Sequence, residues 1–433
     1  MSAFRGSSAF RQKPERRLYD TADNGHGSGR GQCAAFLAAA GIGLWRLFLH
    51  PVGQLPGCGR PLPVPGGRGQ RLAVAGALAW CLFLLTALCI AAHRYAPDET
   101  PLQAVASTLC GGLDARHYLD LARWGYGAGE SGFAEQYLMI VFFPLWPWLL
   151  HPFALLGLNL WLVGTVLSIG LTAVGTLFLY RCVYRLSGSG RTAAFACAVQ
   201  LLLPGSFFFV LPQTEALFYC LNFAFLDAMQ RDKPGQAGLF GLLASLCRAN
   251  GVLLTGYAVL WAILALRRNR RLRVSWLLPM AGPVAGLAVY LGINWAVYGN
   301  AFQFTIYQQQ HWNHSFCLFP QAVAIMCRYI GGDSVGIYIG LWTVVLIFAE
   351  LLLLLLASRR LPPDWLLLGL AGVAMMNGQT WLISAQRYAL GMPALAPAAG
   401  ILARRWQKAV LLAVLAVLWG IYFAAFVNHA PIY

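Results

Sequence analysis

The stretch that decides the fold runs from Leu113 to Pro147 and reads LDARHYLDLARWGYGAGESGFAEQYLMIVFFPLWP. It follows the first clear membrane-spanning segment and precedes a long series of apolar segments. With Asp98 and Glu99 just upstream, this loop holds six of the chain's 15 acidic residues. A chain that is 59% hydrophobic and 11% charged has few carboxylates, so their concentration here indicates a chemical role. The four within the stretch are Asp114, Asp120, Glu130 and Glu135.

Composition indicates a helical membrane protein. The mean hydropathy is +0.61, the chain holds 15 Trp, and its apolar runs are long enough for transmembrane helices. The net charge is +16, but the basic residues lie in short clusters between apolar segments, which favours a role in membrane orientation. We therefore expect membrane lipids as partners and no nucleic acid.

Two regions are predicted. Residues 1–71 carry nine Arg and one Lys among many Gly, Ser and Pro, and are interpreted as a basic cytoplasmic region. Within it, Ala34–Leu49 is short for a crossing and contains Arg46, which favours an interfacial helix. Residues 72–433 are predicted to form an all-α polytopic membrane domain, in which 93–158 is the first extracytoplasmic loop.

About eleven segments are predicted to cross the membrane. With the basic N-terminal region inside, the later clusters of Arg and Lys all fall on the inner side, as the positive-inside rule requires. Tyr137–Phe153 is apolar but broken by three prolines, and we expect it to lie in the interface, because a crossing would invert every later loop. The predicted spans are 72–92, 159–180, 192–210, 214–229, 236–247, 250–266, 275–297, 335–357, 365–383, 388–403 and 408–428.

Under this topology, polar residues from five separated segments reach the outer side. Ionisable groups close to the hydrocarbon are costly, so such a set is typical of a functional site. The residues are Asp114, His117, Asp120, Glu215, Arg248, the loop YQQQHWNHSF at 307–316, and Arg387.

Asp114 is the candidate catalytic residue. Its helical spacing places it on one face with His117, whereas Asp120 points elsewhere. Asp114 could equally be a helix N-cap, and the two interpretations are compatible, since a capping Asp can still act as a base.

The other candidates also have structural alternatives. His117 is a substrate contact or an interfacial structural residue. Glu215 either belongs to the site or stabilises a helix start. Arg248 and Arg387 are phosphate-binding or structurally paired cations. The chain has no CxxC, HExxH or DxD motif, so we expect neither a metal nor a cofactor.

At these residues the chain resembles the GPI mannosyltransferase 2 family and its bacterial relatives. LDARHYLDLARWGY resembles the family's WDGxxYLxIAxxGY loop, and FFPLWPWL follows where the family has FFPLxPxL. LLPGSFFFVLPQTEALF is similar to PASxFxSxxYSESLF, CRANGVLL to ARSNGxLL, and QQQHWNHSF to QxxxWNxxF. QRYALGMPAL falls where a polar-Arg-Tyr step is expected, so the motifs cover most of residues 110–395 in order.

The sequence departs from the family pattern at several positions. Leu113 replaces the Trp before the catalytic Asp, Ala115 replaces the Gly after it, and Gln213-Thr214 replaces Tyr-Ser before the Glu. These changes retain Asp114 and Glu215 but leave acceptor recognition open.

The resemblance implies a GT-C type helical bundle with an extracytoplasmic active site and a polyprenyl-phosphate sugar donor. We therefore expect inverting transfer of mannose from polyprenyl-phosphate-mannose to a hydroxyl acceptor, with Asp114 as general base. The residues expected to bind substrate are His117, Tyr118, Glu215, Arg248, Gln309, Trp312 and Arg387.

Two alternatives stay open: the same enzyme class with another sugar or acceptor, and a transporter or flippase of lipid-linked sugars. A flippase would place polar residues at mid-membrane and favour internal repeats, and the sequence shows no repeat. The 28 Arg against three Lys suggest a GC-rich bacterial genome, and hence the plasma membrane. No GPI pathway is expected there, so the acceptor is open.

Overall fold

The computed structural model describes residues 67–111, 113–126, 136–270, 273–330, 340–382 and 384–430. The predicted interfacial helix at Ala34–Leu49 lies outside these residues, as do Glu130 and Glu135. The predicted loop 93–158 and the domain at 72–433 are therefore described only in part.

The described chain is helical, and its only β-pairing is an isolated bridge between Phe316 and Gln379. Four short 3-10 turns occur at Gln136–Val141, Ser206–Val210, Ala249–Val252 and Val274–Trp276, and a π-helical turn at Val105–Leu109. The α-helices are α1 (Arg68–His93), α2 (Pro101–Ala104), α3 (Asp114–Trp124), α4 (Leu145–Leu155), α5 (Leu160–Ser187), α6 (Gly190–Leu201), α7 (Thr214–Gln230), α8 (Pro234–Cys247), α9 (Leu253–Asn269), α10 (Leu277–Tyr298), α11 (Gln303–Trp312), α12 (Phe319–Tyr329), α13 (Trp342–Ala357), α14 (Pro363–Met376), α15 (Ala385–Leu390), α16 (Leu395–Leu402) and α17 (Arg405–Val427).

Five helical segments in the described part are long and apolar enough to cross a membrane. A helix rises about 1.5 Å per residue, so roughly 20 apolar residues reach across the hydrocarbon core. This supports the predicted class of all-α membrane protein. The segments are Arg68–His93, Leu160–Ser187, Ala249–Arg267, Val274–Tyr298 and Arg405–Val427.

Three predicted spans are interrupted. The span predicted at 192–210 is α6 followed by a 3-10 turn, because Pro204 cannot donate the next helical hydrogen bond. The span at 365–383 ends as α14 at Met376, after which the chain turns toward residues 315–317. The span at 388–403 divides into α15 and α16 on either side of Pro393. The first and third of these sequences stay largely apolar through the proline, which is why composition alone suggested continuous helices, whereas the second contains the polar run Asn377-Gly378-Gln379-Thr380 at its break.

Helix α7 lies at the centre of the bundle, and every residue from Thr214 to Met229 is buried. A helix that is apolar on all sides is expected to be surrounded by protein. Thr172 and Thr176 of α5 satisfy their hydroxyls against their own helix, which lets α5 pack closely against α7. The N-terminal turn of α7 contributes Thr214 and Glu215 to the polar cluster described below.

Helices α8 and α10 approach closely through small residues. A Cβ at Gly282 would lie 2.1 Å from the carbonyl oxygen of Gly238, and a Cβ at Gly286 would lie 2.2 Å from that of Leu242. Gly282 and Gly286 form a GxxxG pattern, which allows two helix backbones to come together.

Candidate active site

Arg387 lies at the centre of an ion-pair network built from residues far apart in the sequence. Its Nε and Nη2 atoms donate to Oε1 of Glu215 at 2.9 and 2.7 Å. Nη2 also donates to Oδ2 of Asp114 at 2.8 Å and to Oε1 of Gln213 at 2.7 Å. The guanidinium lies over the ring of Phe208, 4.6 Å from its centroid. One cation thus joins α3, α7 and α15.

Arg248 contacts Glu215 from a second direction. Its Nη2 donates to the same Glu215 oxygen, and its Nε donates to Oγ1 of Thr214 at 2.8 Å. Arg248 has extended backbone between α8 and the following 3-10 turn. Two cations and two carboxylates therefore meet in one place, and their charges balance, as a partly buried cluster requires.

The position of Glu215 follows from the way α7 begins. Glu215 lies in the first helical turn, where the helix dipole favours a carboxylate. The preceding turn is held from two helices: Trp146 donates to the carbonyl of Pro212 at 3.0 Å, and Ser168 donates to that of Leu211 at 2.8 Å. These hydrogen bonds fix the start of α7 independently of the side chains of the network.

Asp114 is the most accessible member of the network. Its side chain is 35% exposed, against 7% for Arg387 and 0% for Glu215. The N-cap of α3 is Leu113, and Asp114 is the first helical residue, so the N-cap interpretation of Asp114 is wrong. The reason lies in the backbone, which is extended at Leu113 and already helical at Asp114, and the Asp114 carboxylate accepts from Arg387 and makes no cap hydrogen bond. Of the two carboxylates, only Asp114 can meet a molecule from outside.

Asp120 lies on a different face of α3, as the spacing predicts. It pairs with Arg116 at 3.8 Å and with Arg123 at 3.6 Å, both within the same helix. Asp120 is therefore a carboxylate of the same helix that does not belong to the network, and it offers a matched control for Asp114.

Tyr118 extends the network along α3. Its hydroxyl lies 3.5 Å from Oγ1 of Thr214, which is the atom that accepts from Arg248. Burial raises the pKa of Tyr118 well above its ordinary value; Arg248 opposes this shift and Asp114 adds to it. The phenol therefore stays protonated and able to donate.

Arg387 and Arg248 stay cationic in this environment. Burial lowers the pKa of Arg387, but the neighbouring carboxylates of Glu215 and Asp114 outweigh it and raise that pKa above its ordinary value. At Arg248, burial likewise lowers the pKa, and Glu215 more than offsets it. Arg248 is 17% exposed, so its guanidinium is the more accessible of the two.

Aromatic side chains form a wall beside Asp114, centred on Phe142. The ring of His117 stacks on Phe142 at 5.2 Å, and Tyr118 meets it edge to face at 5.1 Å. Trp312 at the end of α11 lies 6.3 Å from the same ring. The structure therefore brings His117, Tyr118 and Trp312 together, although His117 and Trp312 come from different segments.

Gln309 is the predicted substrate-binding residue with the weakest structural link to the network and the aromatic wall. It is exposed on α11, one turn before Trp312. Sequence reasoning missed three contributors: Gln213 and Thr214, noted only as departures from the family pattern, and Phe142, which fell within the segment Tyr137–Phe153 expected to lie in the interface. The signal available was position, since Gln213 and Thr214 directly precede Glu215.

Two polar atoms of the network make no hydrogen bond in the described structure. Oε2 of Glu215 and Nε2 of Gln213 are buried and have no hydrogen-bond partner within the described ranges.

A separate cleft of about 610 Å³ lies near the N-terminal end of α3. It is lined by Glu99, Gln103, Ala106, Ser107, Cys110, Gly111, Arg116 and Trp161. Arg116 is roughly 200° around the helix from Asp114, so the cleft lies mainly behind α3.

Chemically, the cluster offers one accessible carboxylate, one partly accessible guanidinium and an aromatic wall. Among the residues that the structure describes, no group of three His, Cys, Asp or Glu side chains is arranged to hold a metal ion.

Comparison of the chain with protein-family models, with curated proteins and with solved structures found no match.

Proposed function

We propose that the protein is an integral-membrane glycosyltransferase of GT-C type, with about eleven membrane-spanning segments. It transfers mannose, with inversion, from polyprenyl-phosphate-mannose to a hydroxyl acceptor on the extracytoplasmic face of the plasma membrane. The proposal joins the motif resemblance of the sequence to the geometry of the ion-pair network.

The observation that carries the proposal is the placement of Asp114. It is the exposed end of a network whose other members are largely buried, and Arg387 fixes one of its oxygens. Across the described ranges, its other oxygen, Oδ1, accepts no hydrogen bond from the protein. An oriented carboxylate with one unused oxygen suits a general base.

In the proposed step, the acceptor hydroxyl oxygen attacks the anomeric carbon of mannose while Asp114 takes the hydroxyl proton. The bond between the anomeric carbon and the phosphate oxygen breaks, and the phosphate leaves with the electron pair. A phosphate is already a good leaving group, so no second carboxylate is needed as an acid, in contrast to the retaining hydrolases.

The two guanidinium groups take different roles in this proposal. Arg387 gives its Nε and Nη2 hydrogen bonds to Asp114, Gln213 and Glu215, and it orients the base. Arg248 is more accessible and is assigned to the leaving phosphate, where a planar guanidinium stabilises growing negative charge.

The aromatic wall is assigned to the sugar. His117, Tyr118 and Trp312 present ring faces and polar edges around Phe142, and Gln309 lies one turn before Trp312 on the same helix. Such a surface combines apolar contact with a few directed hydrogen bonds, as small-molecule sites generally do.

The test is transfer of radiolabelled mannose from synthetic polyprenyl-phosphate-mannose into lipid or glycan, in membranes with and without the protein. We expect label in product only when the protein is present. Transfer from a different polyprenyl-phosphate sugar alone would retain the class and correct the sugar. Protein-dependent movement of donor across the bilayer without product would contradict the proposal and support a flippase.

A further inference from the structure

Glu350 is an isolated carboxyl in an apolar helix. It lies near the middle of α13, whose sequence WTVVLIFAELLLLLLA contains no other ionisable residue. The residue is 4% exposed. No Lys, Arg or His of the described chain lies within ion-pair distance of it. A buried carboxylate without a cation is very unfavourable in such surroundings.

The polar partner of Glu350 is Asn377, which follows α14 and is buried as well. Nδ2 of Asn377 donates to Oε2 of Glu350 at 3.2 Å. The two remaining oxygens of the pair, Oε1 of Glu350 and Oδ1 of Asn377, are buried and have no donor in the described structure. Two acceptor oxygens are thus left over, one on each partner.

A single proton accounts for both leftover oxygens. If Oε1 of Glu350 carries a hydrogen, it can donate to Oδ1 of Asn377 while Nδ2 of Asn377 donates to Oε2. A carboxylic acid and a primary amide then form a closed ring with two antiparallel hydrogen bonds. An ionised Glu350 could make only the one bond observed and would leave both oxygens unsatisfied.

We propose that Glu350 and Asn377 form a buried proton-binding site, in which Glu350 is a neutral acid at neutral pH. A metal cation suits the pair less well, because three oxygens are few for a cation that prefers six or more. This site belongs to a different part of the molecule from the Asp114 network.

The charged and titratable groups on the surrounding elements do not replace the proton. Asp364 lies at the opposite end of α14, and Arg328 on α12 is exposed. Arg387 on α15 is engaged by Asp114 and Glu215. The loop bonded to Gly378 and Thr380 contributes His314, whose Nε2 is buried without a hydrogen-bond partner in the described structure and forms no ion pair with Glu350 there.

Asn377 begins a segment that is hydrogen-bonded to the loop after Trp312, so protonation of Glu350 affects how that segment is held. The carbonyl of Gly378 accepts from the amide of Cys317 at 3.0 Å, and the amide of Thr380 donates to the carbonyl of Ser315 at 2.9 Å. The segment from 377 to 382 thus joins the loop after Trp312 to α13. Protonation of Glu350 adds the second hydrogen bond of the contact between Glu350 and Asn377, which anchors the start of this segment to α13.

The experiment is infrared spectroscopy of the purified protein in detergent at neutral pH, in H₂O and in D₂O. We expect an acid carbonyl band that shifts in D₂O and is lost in Glu350→Gln. Asp120→Asn, which removes a partly exposed carboxylate that pairs with Arg116 and Arg123, leaves the band unchanged. An amide at position 350 can form the same ring, so Glu350→Gln retains the melting temperature of the native protein.

Asn377→Leu provides the second variant. It removes both ring partners of Glu350, and we expect it to lower the melting temperature by several degrees and to shift the acid band. The proposal is wrong if the native protein lacks the band that Glu350→Gln removes, or if Glu350→Gln fails to fold. Stabilisation by Na⁺ that disappears in Glu350→Gln would likewise overturn it, in favour of a cation site.

Discussion

Arg387 donates from Nη2 to Oδ2 of Asp114 at 2.8 Å, although the two residues are 273 positions apart. The same nitrogen donates to Oε1 of Glu215 at 2.7 Å. The short helix that carries Arg387 therefore fixes the first residue of α3 relative to the buried start of α7. This relationship links the fold to the proposed chemistry, because it positions the accessible carboxylate.

Replacement of Arg387 tests this link through stability. Arg387→Gln leaves Glu215 buried without one of its two cations, and we expect a loss of about 3–5 kcal/mol in the free energy of unfolding. Removal of the carboxylate as well, in Arg387→Gln with Glu215→Gln, is expected to recover part of that loss. Thermal unfolding in detergent measures both changes.

Arg273→Gln is the matched control, because its pair with Asp232 is solvent-exposed on both sides. We expect it to change stability by less than about 1 kcal/mol. Equal melting temperatures for Arg387→Gln and Arg273→Gln would show that the buried network does not stabilise the fold.

The sequence was sufficient for the helical class and for many of the helix positions. The predicted span at 214–229 corresponds to α7, and that at 275–297 to α10. It was not sufficient where apolar composition continues through a break, as at Pro204 and Pro393. Hydrophobicity reports burial in lipid or protein, whereas the helix end depends on backbone hydrogen bonding.

The candidate site was predictable as a set but not as an arrangement. The costliness of ionisable groups near lipid singled out Asp114, Glu215, Arg248 and Arg387 together with Asp120, and the structure brings the first four into contact but leaves Asp120 outside the network. The sequence could not show that Arg387 pairs with both carboxylates. Such a choice depends on the relative placement of α3, α7 and α15, which no local pattern encodes.

Arg248 is expected to contribute to donor binding through its fork of donors. Arg248→Lys retains the charge and loses the planar geometry, so we expect the KM for polyprenyl-phosphate-mannose to rise about tenfold, with a smaller change in kcat. Initial rates at varied donor concentration measure the two constants. An unchanged KM with reduced kcat would place Arg248 outside the phosphate site.

The glycine contact between α8 and α10 predicts that the same substitution has different effects on stability at two positions of α10. Gly282→Ala places a methyl group against the backbone of Gly238, and we expect it to destabilise by about 1–3 kcal/mol. At Gly292 on the same helix, a Cβ meets nothing within 4 Å, and Ala is expected to be neutral or slightly stabilising. Melting temperatures that fall equally would contradict the close approach.

His314 predicts a pH dependence of stability. Burial lowers the pKa of His314 from 6.5 to about 4, so the folded protein holds it neutral where the unfolded chain binds a proton. This contribution to stability is complete above about pH 6.5 and is lost as the pH falls toward 4, by up to a few kcal/mol. Melting temperatures at pH 7 and pH 4.5 measure the loss.

The control for that measurement is His314→Gln, which cannot be protonated. The variant is expected to lose less stability than the native protein over the same pH interval. An identical loss in both proteins would assign the pH dependence to other groups.

The most direct test of the central claim compares Asp114→Asn with Asp120→Asn at equal protein levels in membranes. The two carboxylates lie on the same helix, but only Asp114 contacts Arg387. Transfer of radiolabelled mannose from polyprenyl-phosphate-mannose is expected to be lost in Asp114→Asn, by about 10²-fold or more, and retained in Asp120→Asn. Equal transfer by the two variants would contradict the assignment of Asp114 as the catalytic base.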